Sequence, residues 1–149
     1  MRPAAFLLVS LAALGWAGSG LGCARPSGKF RSESEQKKIL DRELARTATN
    51  VRRMRMIGVE AKDELSLDFF FYTDTQAKAT GLVEALKGLE LSARARPGTE
   101  KNGPFVVHGT TREMPMEESV LSKWVETMCK LGSDHDAEFD AWGTKAPPD

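Results

Sequence analysis

His135-Asp136-Ala137-Glu138-Phe139-Asp140-Ala141-Trp142-Gly143-Thr144-Lys145 is the last patterned stretch of the chain. Read with a period of two, Ala137, Phe139 and Ala141 fall on one side and Glu138, Asp140 and Trp142 on the other. The alternation predicts a strand with one buried and one decorated face. It ends near Gly143, where the missing Cβ permits a bend or a close backbone approach. Alone, this says only that the chain closes a sheet, and the preceding elements decide which sheet.

Upstream of it, Val120, Leu121, Trp124, Val125, Met128 and Leu131 recur at helical spacing. They predict a helix with Pro115, Glu117 and Glu118 in or near its first turn and Gly132 at its end. Phe105-Val106-Val107-His108 reads as a short strand. Leu89, Leu91, Ala93 and Ala95 alternate with Glu90, Ser92, Arg94 and Arg96 in another, and Pro97-Gly98 with Asn102-Gly103-Pro104 brackets the turn between them. A further helix, capped by Thr73 or Asp74, carries Ala79, Leu82, Val83 and Leu86 as its apolar stripe and is closed by Gly88. Before it, Leu65 to Tyr72 sets Leu65, Leu67, Phe69 and Phe71 on one side; burying each contributes about 1.5 to 3 kcal/mol, so this is the strongest strand. The first helix is expected from about Ser34 to Ile57, with a stripe of Leu40, Leu44, Ala48, Val51 and Met54 and a stop at Gly58. Asp41 and Glu43 lie at pairing distance from its basic residues.

The order is a helix followed by strand-helix-strand-strand-helix-strand. A helix joining two strands of one sheet requires a crossover, and its right-handed form sets both helices on one face. The fold class expected is therefore α+β: a ferredoxin-like βαββαβ sandwich with an amphipathic helix in front.

The closing stretch also resembles the terminal motif of the regulator of ribonuclease E activity B (RraB) family, a Tyr-Asp-Gly-Trp-Gly-like run. Phe139, Asp140, Trp142 and Gly143 are in register with it, and Ala141 replaces its first Gly. The similarity extends over Gly58 to Thr144. It implies the same α/β sandwich and a role in regulating a partner by direct contact.

The first residues have a different character. Met1-Arg2 is followed by an apolar run from Ala4 to Ala17, the layout of an export signal and too short to span a bilayer. Gly20-Leu21-Gly22-Cys23 resembles a bacterial lipobox, with Leu two rather than three places before the Cys. The expected division is a signal over 1–23 with Cys23 as the lipidated residue, a tether over 24–33, the domain over 34–145 and a tail over 146–149. Plain secretion or a retained leader are the alternatives. Cys129 then stands alone in an apolar stripe as a small buried hydrophobe, and a Cys23 to Cys129 bridge is the competing reading. From Ala24 to Met56 there are ten Lys or Arg against four Asp or Glu; from Ile57 onward there are ten against seventeen. A basic leading helix thus precedes an acidic domain, either complementing it or attracted to anionic headgroups beside the anchor.

If the helices cover the side holding Phe69, Phe71, Leu91, Val107 and Phe139, the free side carries Asp68, Phe70, Tyr72, Arg94, Arg96, His108, Asp140 and Trp142. Trp, Tyr and Arg dominate protein interfaces, so Trp142, Asp140, Tyr72, Phe70 and Arg94 are the expected partner-binding residues. Closure of that side by the first helix is the competing expectation. An enzyme would use Asp68, Asp140 and His108, but salt bridges from the arginines explain both carboxylates. The sequence holds no nucleophile elbow, P-loop or Gly-rich dinucleotide turn. Asp134, His135 and Asp136 are consecutive, an unfavourable spacing for one metal ion. The acidic domain opposes phosphate, so nucleic acid is disfavoured. The reading is a non-enzymatic protein-binding domain without cofactor or metal, exported and membrane-anchored through Cys23; a small envelope enzyme and a structural envelope lipoprotein are the alternatives.

Overall fold

The computed structural model describes residues 28–99 and 104–144. The expected signal with Cys23 and the residues after Thr144 lie outside the described residues.

Helix α1 spans Glu33–Met56. Ser32 and Glu35 form a reciprocal capping box, and Glu33 and Glu35 occupy the first turn while Arg53 and Arg55 occupy the last, both complementing the helix dipole. Its buried seam is Ile39, Glu43, Thr47, Val51 and Met54, with Leu40 and Leu44 only partly buried beside it. The expected stripe is therefore rotated towards polar residues in its first half. Gly58 follows with φ +88°, the left-handed conformation that glycine adopts without strain.

Strand β1 is the pair Glu64–Leu65, and β2 is Leu67–Thr73. Leu65 thus belongs to a separate two-residue ladder, not to the main strand. In β2 the alternation is strict, with Leu67, Phe69, Phe71 and Thr73 buried. Helix α2 covers Gln76–Gly88 and is capped by Thr75, whose hydroxyl accepts from the Lys78 amide. The expected caps are displaced because Thr73 is buried at the end of β2 and its hydroxyl donates to the Asp136 carbonyl.

Strands β3, Ser92–Pro97, and β4, Phe105–Thr110, form a hairpin with Arg94 opposite His108. Strand β5, Met114–Pro115, pairs with β1. Pro115 is therefore in an extended bridge, and helix α3 begins after it, spanning Glu118–Asp134. Gly132 does not end α3. It sits inside the helix where a Cβ would press on the Ala137 carbonyl and the Phe71 ring, so the helix can lie close to the sheet. Strand β6 is Glu138–Thr144.

The main sheet has the order β3-β4-β2-β6, with every neighbouring pair antiparallel. That is the ferredoxin-like arrangement expected. Helix α2 packs against β3, β4 and β2, and α3 packs against β6 and α1. Fully buried Leu67, Phe69, Phe71, Leu82, Leu86, Val107, Leu121, Val125 and Phe139 fill the space between sheet and helices. Trp124 of α3 is the aromatic hub, edge-on to Phe139 at 5.8 Å and to Phe69 at 6.3 Å.

Candidate interaction face

The two faces of the sheet are chemically distinct because cross-strand partners share a face. Phe69 and Phe71 point to the helices. Between them and beyond, Asp68, Phe70 and Tyr72 point away, opposite Thr110, His108 and Val106 of β4. Arg94 and Arg96 of β3 continue these rows. The outer face therefore carries Phe70, Tyr72, His108, Arg94 and Arg96 as expected, and no described helix packs across it; only at β6 is it covered, where Arg31 and Arg42 hold Glu138, the partner of Tyr72.

Helix α1 does not close that face. It packs on α3 and runs along the free edge of β6. There Gln36 donates to the Ala137 carbonyl at 3.2 Å, Arg42 to Phe139 at 3.5 Å and Arg46 to Asp140 at 2.9 Å. Side chains of a helix thus occupy carbonyls that would otherwise be open to another strand.

Strand β6 departs from its sequence reading at one residue. Phe70 pairs with Ala141 and Phe71 with Phe139, leaving Asp140 as the extra residue of a β-bulge. The extra residue inverts the alternation after it. Trp142 consequently pairs with Phe69 and faces inward, 8% exposed and edge-on to Trp124 at 6.1 Å. Its expected place on the free face is corrected: the indole is part of the core. Its Nε1–H has no acceptor among the described residues. Asp140 lies at the α1-lined edge, where its charge helps to raise the neighbouring Glu43 carboxyl. Nor does the suggested acid/base pair form, because Asp68 faces Gly143 and not Asp140. Asp68 accepts from the Thr110 hydroxyl at 2.7 Å, and His108 Nε2 lies 3.9 Å away.

What remains on the outer face is continuous. The Phe70 and His108 rings stack at 4.7 Å with planes 16° apart. Beside them a hollow of about 320 Å³ is lined by Phe70, Tyr72, Val106, Arg96 and the hairpin residues Pro97, Gly98, Thr99 and Pro104. Val106 and the hairpin walls were not among the expected contact residues. Only the register of β4 against β2 and β3 brings them there. Trp142 borders a different hollow, of about 270 Å³, with Asn50, Met54 and Ile57 on the helix side.

The other suspected groups have structural partners. Asp136, at φ +52°, begins the turn into β6. Burial raises its carboxyl, but the Lys78 ammonium at 2.6 Å and the amides of Phe30 and Arg31 outweigh burial and hold it below the ordinary 3.8. Asp134 pairs with Lys130, and His135 caps α3, so the three consecutive residues serve three separate purposes. Among the described residues no His, Cys, Asp and Glu cluster could hold a metal. Glu43 is 1% exposed; burial pushes its carboxyl up against the opposing pull of Arg42 and Arg46, both bonded to Oε1. Cys129 is a buried thiol, pushed up to about 12 by burial and then by the Glu43 charge.

A three-helix, four-stranded ferredoxin-like domain with one open, aromatic and cationic sheet face is the class this geometry defines. The model of the family described as regulator of ribonuclease activity B matches residues 45–144. That is about two thirds of the chain, and the chain belongs to the RraB family. The match reaches back into the second half of α1, further than the closing motif and the strands alone indicate. No curated protein matches the chain.

Proposed function

We propose that this chain is a non-catalytic regulatory domain that acts by binding a protein through the outer face of its sheet. The single observation carrying this reading is that every described helix lies on the other side or at the β6 edge, leaving Phe70, Tyr72, Arg94 and Arg96 together and uncovered around a buried Val106. Membership in a family of ribonuclease regulators supports regulation by contact. Tyr72, Phe70 and Arg94 are the contact residues of this reading, now with Arg96, and buried Val106 forms the floor between them. Trp142 supports the fold beneath them.

The signal-like leader and Cys23 support an exported, lipid-anchored chain. In that location the target is a protein of the cell envelope, since a cytoplasmic ribonuclease would not be met. Intact mass of the mature chain tests this half: acylation at Cys23 supports it, and a retained leader overturns it. For the binding half, a benzophenone amino acid is placed at Tyr72 or at exposed Thr127 of α3 in the full chain. Protein adducts from position 72 and not from 127 support the outer face. Adducts only from 127, or none from either, overturn it.

A further inference from the structure

The two edges of the sheet are finished differently. At β6, side chains of α1 take the carbonyls of Ala137, Phe139 and Asp140. Strand β3 pairs only with β4, and among the described residues nothing hydrogen-bonds to its other edge. An open edge is a template for one more strand, and the side chains beside it select which strand.

Arg94 and Arg96 stand two residues apart on the outer face, roughly 7 Å along the strand, the repeat of any extended partner. Neither makes an ion pair among the described residues, unlike Arg31, Arg42, Arg46 and Arg112; Arg52, Arg53 and Arg55 of α1 also make none, but they lie on a helix and not along a strand edge. Outside the described residues only Glu100 and Asp149 carry carboxylate side chains. A second copy of the chain is a poor occupant. Antiparallel self-pairing centred on this strand sets Arg94 and Arg96 against arginines of the other copy, and like charges directly opposite destabilise a ladder. Nucleic acid is also poorly served: Phe70 and His108 stack on one another, so that each ring covers a face that a base would need.

We propose that β3 receives an extended acidic segment of a partner protein as a fifth strand, with carboxylates at alternate positions meeting Arg94 and Arg96. The inference rests on the protein-binding reading above and specifies the partner's chemistry. Backbone hydrogen bonds from the edge supply a generic attachment. The two guanidiniums supply the selection, because only a strand with acids in step with them gains at both positions. Such a strand lies alongside the open face, so one partner spans both.

The test uses the isotope-labelled full chain, titrated by NMR with a Thr-Glu repeat peptide, a Thr-Lys repeat peptide and an oligouridine. Expected are shifts centred on the Ser92–Arg96 amides with the Thr-Glu peptide alone, weakening as salt is added. The R94E/R96E variant should bind that peptide roughly tenfold more weakly and acquire binding to Thr-Lys. Both arginines are exposed, and unchanged β2 and α3 resonances verify that the variant is folded. Silence at β3, equal response to both peptides, response to oligouridine in place of peptide, or concentration-dependent β3 shifts without peptide would each overturn the proposal. Adducts from position 72 together with a silent β3 would discard the acidic strand while leaving the protein-binding face intact.

Discussion

Trp142→Ala separates the two roles that the closing strand has been given. The indole is 8% exposed, pairs across the sheet with fully buried Phe69 and meets Trp124 edge-on at 6.1 Å. Truncating a buried aromatic to Ala costs about 3 to 5 kcal/mol, and a domain of this size has about 5 to 15 kcal/mol in total. In urea, with a slope of about 1 to 3 kcal/mol per molar, the unfolding midpoint should fall by roughly 2 M. Trp142→Phe should lose much less, about 1 kcal/mol, because it keeps a ring in place and removes an N–H that has no described acceptor. Tyr72→Ala, on the outer face, should also cost about 1 kcal/mol or less. Equilibrium urea unfolding followed by circular dichroism orders the three variants. A core role for the Trp142 indole is refuted if Trp142→Ala unfolds within about 1 M of the wild-type midpoint, or if Tyr72→Ala is the more damaging of the two alanine variants.

Three further outcomes are expected. Gly109→Ala should cost about 3 kcal/mol and deplete soluble protein, because a Cβ there would overlap the Phe69 ring and the Ser92 carbonyl at the centre of the sheet; soluble yield and a thermal melt read this. Asp136 has a folded pKa below its unfolded value, so its contribution is present above 3.8 and is lost as pH falls through the folded pKa. Wild type should therefore lose more of its urea midpoint between pH 6 and pH 3 than Asp136→Asn does, and equal losses would remove Asp136 as the cause. The buried Cys129 thiol, pushed up to about 12, should resist iodoacetamide at pH 8 in the folded chain and react fully in urea without reductant. Persistent resistance in urea, relieved only by reductant, would instead reveal a disulfide.

Much of the fold was legible locally. The stop at Gly58 and the strict alternation of Leu67, Phe69 and Phe71 set their elements within a residue or two. Misplaced boundaries share a cause, which is a residue whose local preference was overridden by a distant partner. Thr73 could cap a helix but is buried against Asp136, and Pro115 could open one but is held in a bridge to Glu64. In α1, the buried seam turned towards Glu43 because Arg42 and Arg46 neutralise it where α1 crosses α3.

Taken alone, the residue order determined the three helices and the four strands of the main sheet, the family to which they belong, and the outer-face position of Phe70, Tyr72 and Arg94, but not the small β1–β5 ladder. These follow from periodicity and from a motif, both of which act over a few residues of chain. Only the tertiary structure decided the side on which Trp142 lies and which sheet edge is closed. A single unpaired residue at Asp140 reverses every side chain after it, and no glycine or proline there announces the bulge. Likewise, the contact of Gln36, Arg42 and Arg46 with β6 spans about a hundred residues, a distance over which local pattern carries no information about pairing.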